Sequence, residues 1–448
     1  MEIAIEKIVY PGKGLGRGAE GIATFVDGVL PGEVADVVIT RNKKTFREAV
    51  LNKVITPSPR RIEARCPSYG ACGGCSFQHS GYSDQLTIKE EYVRELISPL
   101  GIVVNPLVAS PDVWGYRNKM EFSFFAEADG SAGLGLHKKG AFDRYITVPP
   151  CFICDEDFTA VAQQVTAFAR RSGFAVYDKK THEGFYRHLV LRKATNTGQL
   201  LVNVVTNGVP AVSADFFNPL REALRGRVSS LYWTQNSRVS DAVACDRLTL
   251  LDGVEMIEDR LNIGQKQYRF DISPFSFFQT NTRGAELLYG AVLQAGGWKN
   301  DDTVLDLYCG TGTIGIVVAP YVKEVIGVEQ VADAISDANR NRDKNAAANC
   351  SFAAGSVEKW IKHGTIPSFN AMIVDPPRGG LSSKVIAFIA RTLPEKIVYV
   401  SCNPATMARD IKEITAQSPY AAGPAVCVDM FPQTFHVETV VSLTRKYT

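Results

Sequence analysis

The sequence has no apolar run approaching the ~18 residues of a membrane span. Its start, Met1-Glu2-Ile3-Ala4-Ile5-Glu6, has no basic stretch leading into an apolar one. Neither a spanning helix nor a secretory leader is expected, and the expected place is the cytoplasm. An excess of one charge sign is also missing. The 49 basic and 47 acidic residues leave a net charge of +2, so any surface for a polyanion must be a local patch. Histidine is scarce, with 6 in the chain. His79, His137, His182 and His188 show no metal-ligand spacing and read as structural. Cysteine is not scarce, but in a reducing compartment the 10 cysteines do not suggest a disulfide framework. Metal ligands, catalytic groups and core residues are left.

What is present divides into three units, within the range that 448 residues allow at ~100–200 residues per domain. Residues 1–58 carry short strand-like runs (Ile3 to Val9, Gly21 to Phe25, Glu33 to Ile39, Arg47 to Ile55) separated by Gly and Pro turns. This pattern predicts a small antiparallel barrel of the OB type. Arg41, Lys43, Lys44, Arg47 and Lys53 give it a basic strip suited to single-stranded nucleic acid. The stretch Phe25 to Glu33 resembles the TRAM domain, an RNA-binding module of RNA-modifying enzymes.

Residues 59–268 predict a mostly β central unit, with helices near Tyr82 to Leu100 and Phe158 to Ser172. It opens on Cys66-Pro67-Ser68-Tyr69-Gly70-Ala71-Cys72-Gly73-Gly74-Cys75, whose spacing suits a metal centre. A fourth ligand must come from elsewhere, and Cys151 and Cys154 are the candidates. Three close cysteines plus a distant one suit a [4Fe–4S] cluster, whereas Cys72/Cys75 with Cys151/Cys154 would make a zinc site. Both remain open on spacing alone.

From 269 to 448, strands alternate with helices, as in a doubly wound Rossmann-like sheet. The strand Thr303 to Leu307 runs into Tyr308-Cys309-Gly310-Thr311-Gly312-Thr313, and the next, Glu324 to Glu329, ends in an acid. That acid is placed to accept hydrogen bonds from ribose hydroxyls. The third glycine of the dinucleotide fingerprint is absent, so S-adenosylmethionine fits better than NAD. Further strands deliver Asp375-Pro376-Pro377-Arg378 and Ser401-Cys402-Asn403-Pro404, and Glu438 enters the last one. A methyl donor beside a cysteine and a carboxylate suits methylation at carbon 5 of a pyrimidine. A thiolate adds to carbon 6, carbon 5 takes the methyl group, and a base removes the carbon 5 proton.

These motifs, with Phe277-Phe278-Gln279-Thr280-Asn281 and His436-Val437-Glu438, resemble the RNA 5-methyluridine methyltransferase family over nearly the whole chain. The TRAM-like start and Cys66/Cys72/Cys75 resemble its 23S rRNA branch more than its tRNA uridine-54 branch. The resemblance implies Cys402 as nucleophile and Glu438 as base. It implies Gln279, Tyr308, Glu329 and Asp375 as S-adenosylmethionine contacts, and a [4Fe–4S] cluster on Cys66, Cys72, Cys75 and Cys151. Thr313 stands where some members have asparagine. The implied partner is RNA, 23S rRNA first, offering a single-stranded or flipped-out uridine, with the enzyme acting as a monomer. Alternatives are a tRNA uridine-C5 or RNA cytosine-C5 methyltransferase, or a non-catalytic RNA-binding assembly factor.

Overall fold

The computed structural model describes all residues except 19, 142, 148–149, 240–244, 365 and 447–448. Strands β1 (Glu2–Val9), β2 (Lys13–Arg17), β3 (Ala23–Val26), β4 (Val34–Asn42) and β5 (Phe46–Thr56) close a barrel in the order β1-β2-β3-β5-β4. Alternation puts Ile3, Ile5, Val26 and Val37 inside, as half-buried strands require. The barrel is not wholly antiparallel, because β3 and β5 run parallel. A closed ring with an odd number of strands cannot alternate direction all the way round. Arg41, Lys43, Lys44 and Lys53 are exposed on and around the β4–β5 hairpin, while Arg47 is tied to Glu20 and Asn42.

The central unit is a seven-stranded sheet. Its strands are β6 (Lys119–Ala126), β7 (Ala132–His137), β8 (Tyr145–Thr147), β9 (Tyr186–Lys193), β10 (Leu200–Thr206), β11 (Ser230–Gln235) and β12 (Arg247–Gly253), in the order β12-β11-β10-β9-β6-β7-β8. Two helices, Glu156–Ser172 and Asn218–Leu224, cover one face through Phe158, Val165, Phe168 and Leu220.

The C-terminal sheet has the order Cys350–Ala354, Glu324–Glu329, Thr303–Leu307, Ala371–Val374, Lys396–Ser401, Glu438–Arg445, Tyr420–Ala422, and Val426–Val428 also pairs with Glu438–Arg445. The first five of these strands are parallel, and Glu438–Arg445 is antiparallel to its neighbours. Its central strands are buried on both faces, which explains their near-continuous apolar sequences. Val304, Ile373, Val398 and Val440 face one core; Leu305, Met372, Ile397 and Tyr399 face the other.

Two segments from within the expected 59–268 unit, or straddling its end, pack on this C-terminal sheet instead. The helix Tyr82–Ile97 contributes Tyr92, Val93 and Ile97 to one of its cores. The chain after it bridges Val104 to Ala425 and Val108 to Val428. The hairpin Ile257–Ile263/Lys266–Ile272 contributes Leu261, Tyr268 and Phe270 to the other core. The helix also carries a buried cation. Lys89 is fully buried and donates to Asp429, also fully buried, at 2.7 Å, and to the Phe431 carbonyl at 3.1 Å.

Removing one partner of a buried ion pair leaves an uncompensated charge, at a cost of about 3–5 kcal/mol. Lys89→Ala is expected to lower the urea midpoint of the C-terminal unit by a corresponding amount. Lys89→Met with Asp429→Leu should recover much of the loss, and a single variant as stable as the parent would contradict this.

Candidate active site

Between Thr303–Leu307 and Ala371–Val374 the strand order reverses. In open α/β sheets the ligand crevice lies there, outside the carboxyl ends of the strands. A cleft of about 1300 Å³ opens at that point. All six residues that the family resemblance assigns to cofactor or catalysis line it: Gln279, Tyr308, Glu329, Asp375, Cys402 and Glu438.

Each arrives there for a local reason. Tyr308 follows its strand in the left-handed region, φ 66°, a conformation costing a non-glycine residue roughly 1–3 kcal/mol. Gly312 follows at φ 72°, where a Cβ would lie 2.6 Å from the Phe352 ring, so only glycine fits this turn. Glu329 closes the next strand, and its carboxylate accepts from the Gly310 and Val331 N–H groups at 3.3 and 2.9 Å. Gln279 is held through its carbonyl by Asn118 at 3.0 Å. Two residues on, Asn281 caps the helix Thr282–Gly296 by accepting from Gly284 at 2.9 Å. Cys402 sits on a turn closed by Ser401 and Asn403, which exchange hydrogen bonds of 3.0 Å. Asn403 caps the helix Pro404–Gln417 and donates to the Arg378 carbonyl at 3.0 Å, fastening the Asp375-Pro376-Pro377-Arg378 finger to the Cys402 turn.

The cleft concentrates groups that prefer to be neutral. Burial pushes the Asp375 carboxyl up to about 7. Burial and then the Asp375 charge hold Glu438 well above the carboxylate range, and Arg378 opposes them. The Cys402 thiol is pushed up to about 11 by burial and by the charges of Glu438 and Asp375, with Arg378 again opposing. His436 is pushed down to about 4 by burial and by the Arg378, Lys89 and Arg117 cations, and its Nε2 lies 3.4 Å from the Arg378 guanidinium. Arg378 and His436 also line the cleft. Both stand in the quoted motifs, but neither is given a role by the sequence. Arg117, Gly73 and Gly74 line it too, bringing the cysteine-rich segment to its edge.

The cysteines of that segment influence one another. Burial first, and then the charges of Cys151, Cys72 and Cys66, push Cys75 up to about 12. Cys72 is raised by burial and also by Cys151 and Cys66. Cys154 is different. It lies in the apolar core and donates through Sγ to the Cys151 carbonyl at 3.2 Å. Among the described residues, no group of three or more His, Cys, Asp or Glu side chains stands in an arrangement able to hold a metal ion. Residues 148–149, part of the strand expected before Cys151, lie outside the described residues.

The family model for tRNA (uracil-5-)-methyltransferases matches residues 242–446. An uncharacterized RNA methyltransferase of Caldanaerobacter subterraneus subsp. tengcongensis is 40% identical over 98% of this chain and 97% of its own length. One from Clostridium tetani is 38% identical over 100% and 98%. The chain belongs to the RNA (uracil-5-)-methyltransferase family. A solved structure, the Pyrococcus abyssi tRNA (uracil-54, C5)-methyltransferase in complex with S-adenosyl-L-homocysteine, is 30% identical with a TM-score of 0.77, covering 99% of this chain and 100% of that one. Among the described residues no helix is long and apolar enough to cross a membrane.

Since Arg378 is the cation opposing the rise of the Cys402 thiol, Arg378→Gln should move thiolate formation to higher pH. Alkylation of the Cys402 peptide by iodoacetamide, followed against pH by mass spectrometry, is expected to show its midpoint displaced upward from about 11. An unchanged or lower midpoint would contradict the assignment.

Proposed function

We propose that the protein methylates carbon 5 of a uridine in RNA, with S-adenosylmethionine as donor, Cys402 as nucleophile and Glu438 as base. The observation that carries this reading is the pairing of Cys402 with Glu438 in one cleft, close enough that the carboxylate raises the thiol. Amine methylation needs no thiol, and pyrimidine carbon 5 is too weak a nucleophile without one.

The bound donor supplies an electrophilic methyl group on sulfur; the rest falls to this chain. The Cys402 thiol first releases its proton to water, the thiolate then bonds to carbon 6, and the ring becomes an enolate. Carbon 5 then takes the methyl group. Glu438 in its ionised form, made a stronger base by the burial that holds it above the carboxylate range, removes the carbon 5 proton, the ring double bond re-forms, and the carbon–sulfur bond breaks, returning the thiolate. Gln279, Tyr308, Glu329 and Asp375 are assigned to hold the donor; Glu329, pinned by two backbone N–H groups, suits ribose hydroxyls. Arg378 offsets the negative charge that forms on Cys402. The uridine must leave its stack to reach this depth. The exposed cations of the β4–β5 hairpin suit the flanking strand.

The RNA class has two readings. The TRAM-like barrel and cysteine segment support 23S rRNA. The Pyrococcus abyssi neighbour acts on tRNA and matches over nearly the entire chain, which supports tRNA. We favour 23S rRNA, tested by offering unmodified 23S rRNA and tRNA transcripts side by side with tritiated S-adenosylmethionine. With the preferred RNA, Glu438→Gln is expected to accumulate an SDS-stable protein–RNA adduct while turnover falls by roughly 10²–10⁴-fold, the worth of a general base. Cys402→Ser should form no adduct. An adduct that survives Cys402→Ser, or a rapidly turning-over Glu438→Gln, would sink these roles.

Cys66, Cys72, Cys75 and Cys151 are assigned to a [4Fe–4S] cluster. Four partly buried thiols are the right donor type for it, and Cys154, packed in the apolar core, is the poorer candidate. No methyl-transfer step draws on an electron, so the role assigned to the site is structural or RNA-positioning rather than redox. Iron and sulfide content should fall in Cys151→Ala and persist in Cys154→Ala; the reverse pattern would reassign the fourth ligand.

A further inference from the structure

Between Asp429 and Glu438 the chain makes a buried turn whose backbone is held from all sides. The Met430 carbonyl accepts from Asn281 at 2.9 Å and that of Phe431 from Lys89 at 3.1 Å. The Pro432 carbonyl accepts from the Tyr116 hydroxyl at 2.9 Å, and that of Phe435 from the Tyr92 hydroxyl at 2.9 Å. Gln433 is the most heavily engaged residue. Its carbonyl accepts from the Ser76 and Phe77 N–H groups at 2.9 and 3.0 Å. Its own N–H donates to Gln85 Oε1 at 2.9 Å, and its Oε1 accepts from Gln85 Nε2 at 3.0 Å. Gln85 Nε2 also donates to the Phe77 and Ser80 carbonyls, at 3.1 and 2.9 Å.

Gln433 does all this at φ 67°, where glycine or asparagine would be easier, and it is only 3% exposed. If the turn needed only its shape, glycine would serve better. A glutamine held there at a conformational cost points to a use for its amide. The side-chain amide ties the residues just before His436 and Glu438, both of which line the cleft, to Gln85 on the helix Tyr82–Ile97, while the main-chain carbonyl holds the segment following Cys75.

We propose that Gln433 is a positioning residue: through its side-chain amide bond to Gln85 it fixes the aim of Glu438 at carbon 5 of the bound uridine. Gln433 touches no substrate and acts through the turn. The proposal rests on the reading of Glu438 as base. It assigns Gln433 to the proton-removal step rather than to binding, so its loss should spare the Cys402 adduct and slow its resolution.

The test uses the full chain with uridine-containing RNA. Gln433→Gly adopts the left-handed conformation readily, so it should fold and melt near the parent temperature. It is expected to lower kcat on the order of 10–100-fold, the cost of misplacing a catalytic group by about 1 Å. KM for RNA and for S-adenosylmethionine should change by no more than about twofold, since binding is untouched. Covalent protein–RNA adduct should accumulate. Gln433→Asn, which keeps an amide and tolerates positive φ, should recover part of kcat. Gln85→Leu, which removes the partner amide, should reproduce the Gln433→Gly pattern. Parent-like kcat in Gln433→Gly, or a loss of adduct together with turnover, would overturn the proposal. Failure of Glu438→Gln itself to accumulate adduct would overturn the reading beneath it, so the two failures are distinguishable.

Discussion

Backbone carbonyls withdrawn from water must find donors, because an unpaired one costs about as much as a lost hydrogen bond. The turn from Asp429 to Phe435 meets only part of this need itself, Thr434 donating to the Phe431 carbonyl, and is buried where the structural units meet. It takes donors from the helix Tyr82–Ile97, the cysteine-rich segment, the approach to the central sheet and the cap of the helix Thr282–Gly296. The barrel reaches it as well: Tyr10 packs edge-on against Phe435 at 5.8 Å, and a side chain at Gly12 would collide with that ring. The strand that opens with Glu438 begins directly after this turn. The fold thus converges on the segment that aims one carboxylate.

The second constraint is electrostatic. Asp375, Glu438 and Cys402 share a low-dielectric cleft: burial raises all three, the Asp375 charge adds to the rise at Glu438, and both carboxylates add to the rise at Cys402. A thiol that stays protonated at rest is protected from adventitious chemistry. A carboxyl near 7, as at Asp375, can change state at neutral pH. Arg378 counters the negative charge at both Cys402 and Glu438, and the Asn403 side chain fastens its backbone to the Cys402 turn. Arg378 therefore ties the finger and the cysteine turn into one electrostatic unit. The neutral His436 beside it adds no further positive charge.

The parts of the fold legible in the sequence are those whose pattern is local. Thr303–Leu307 and Glu324–Glu329 read as strands at their observed limits because apolar runs buried on both faces stand out between glycine loops. Glu329, Asp375 and Cys402 were legible as neighbours because successive parallel strands place their carboxyl ends on one edge. Less legible was what depends on distant partners. Gln85, Lys89 and Tyr92 sit on a helix that reads as a routine amphipathic one, yet they bond to residues more than 300 positions away. The parallel β3–β5 pair follows from ring closure, which no single strand reveals. The proximity of Arg378 to His436 joins a finger and a turn that the sequence keeps 58 residues apart.

The central claim is that carbon 5 of a uridine exchanges its hydrogen for a methyl group. The most direct measurement follows RNA carrying tritium at uridine carbon 5, incubated with the protein and unlabelled S-adenosylmethionine. Release of tritium to water should match methyl groups transferred one for one, and should vanish in Cys402→Ser. Methyl transfer without tritium release would place the chemistry at another atom and contradict the account.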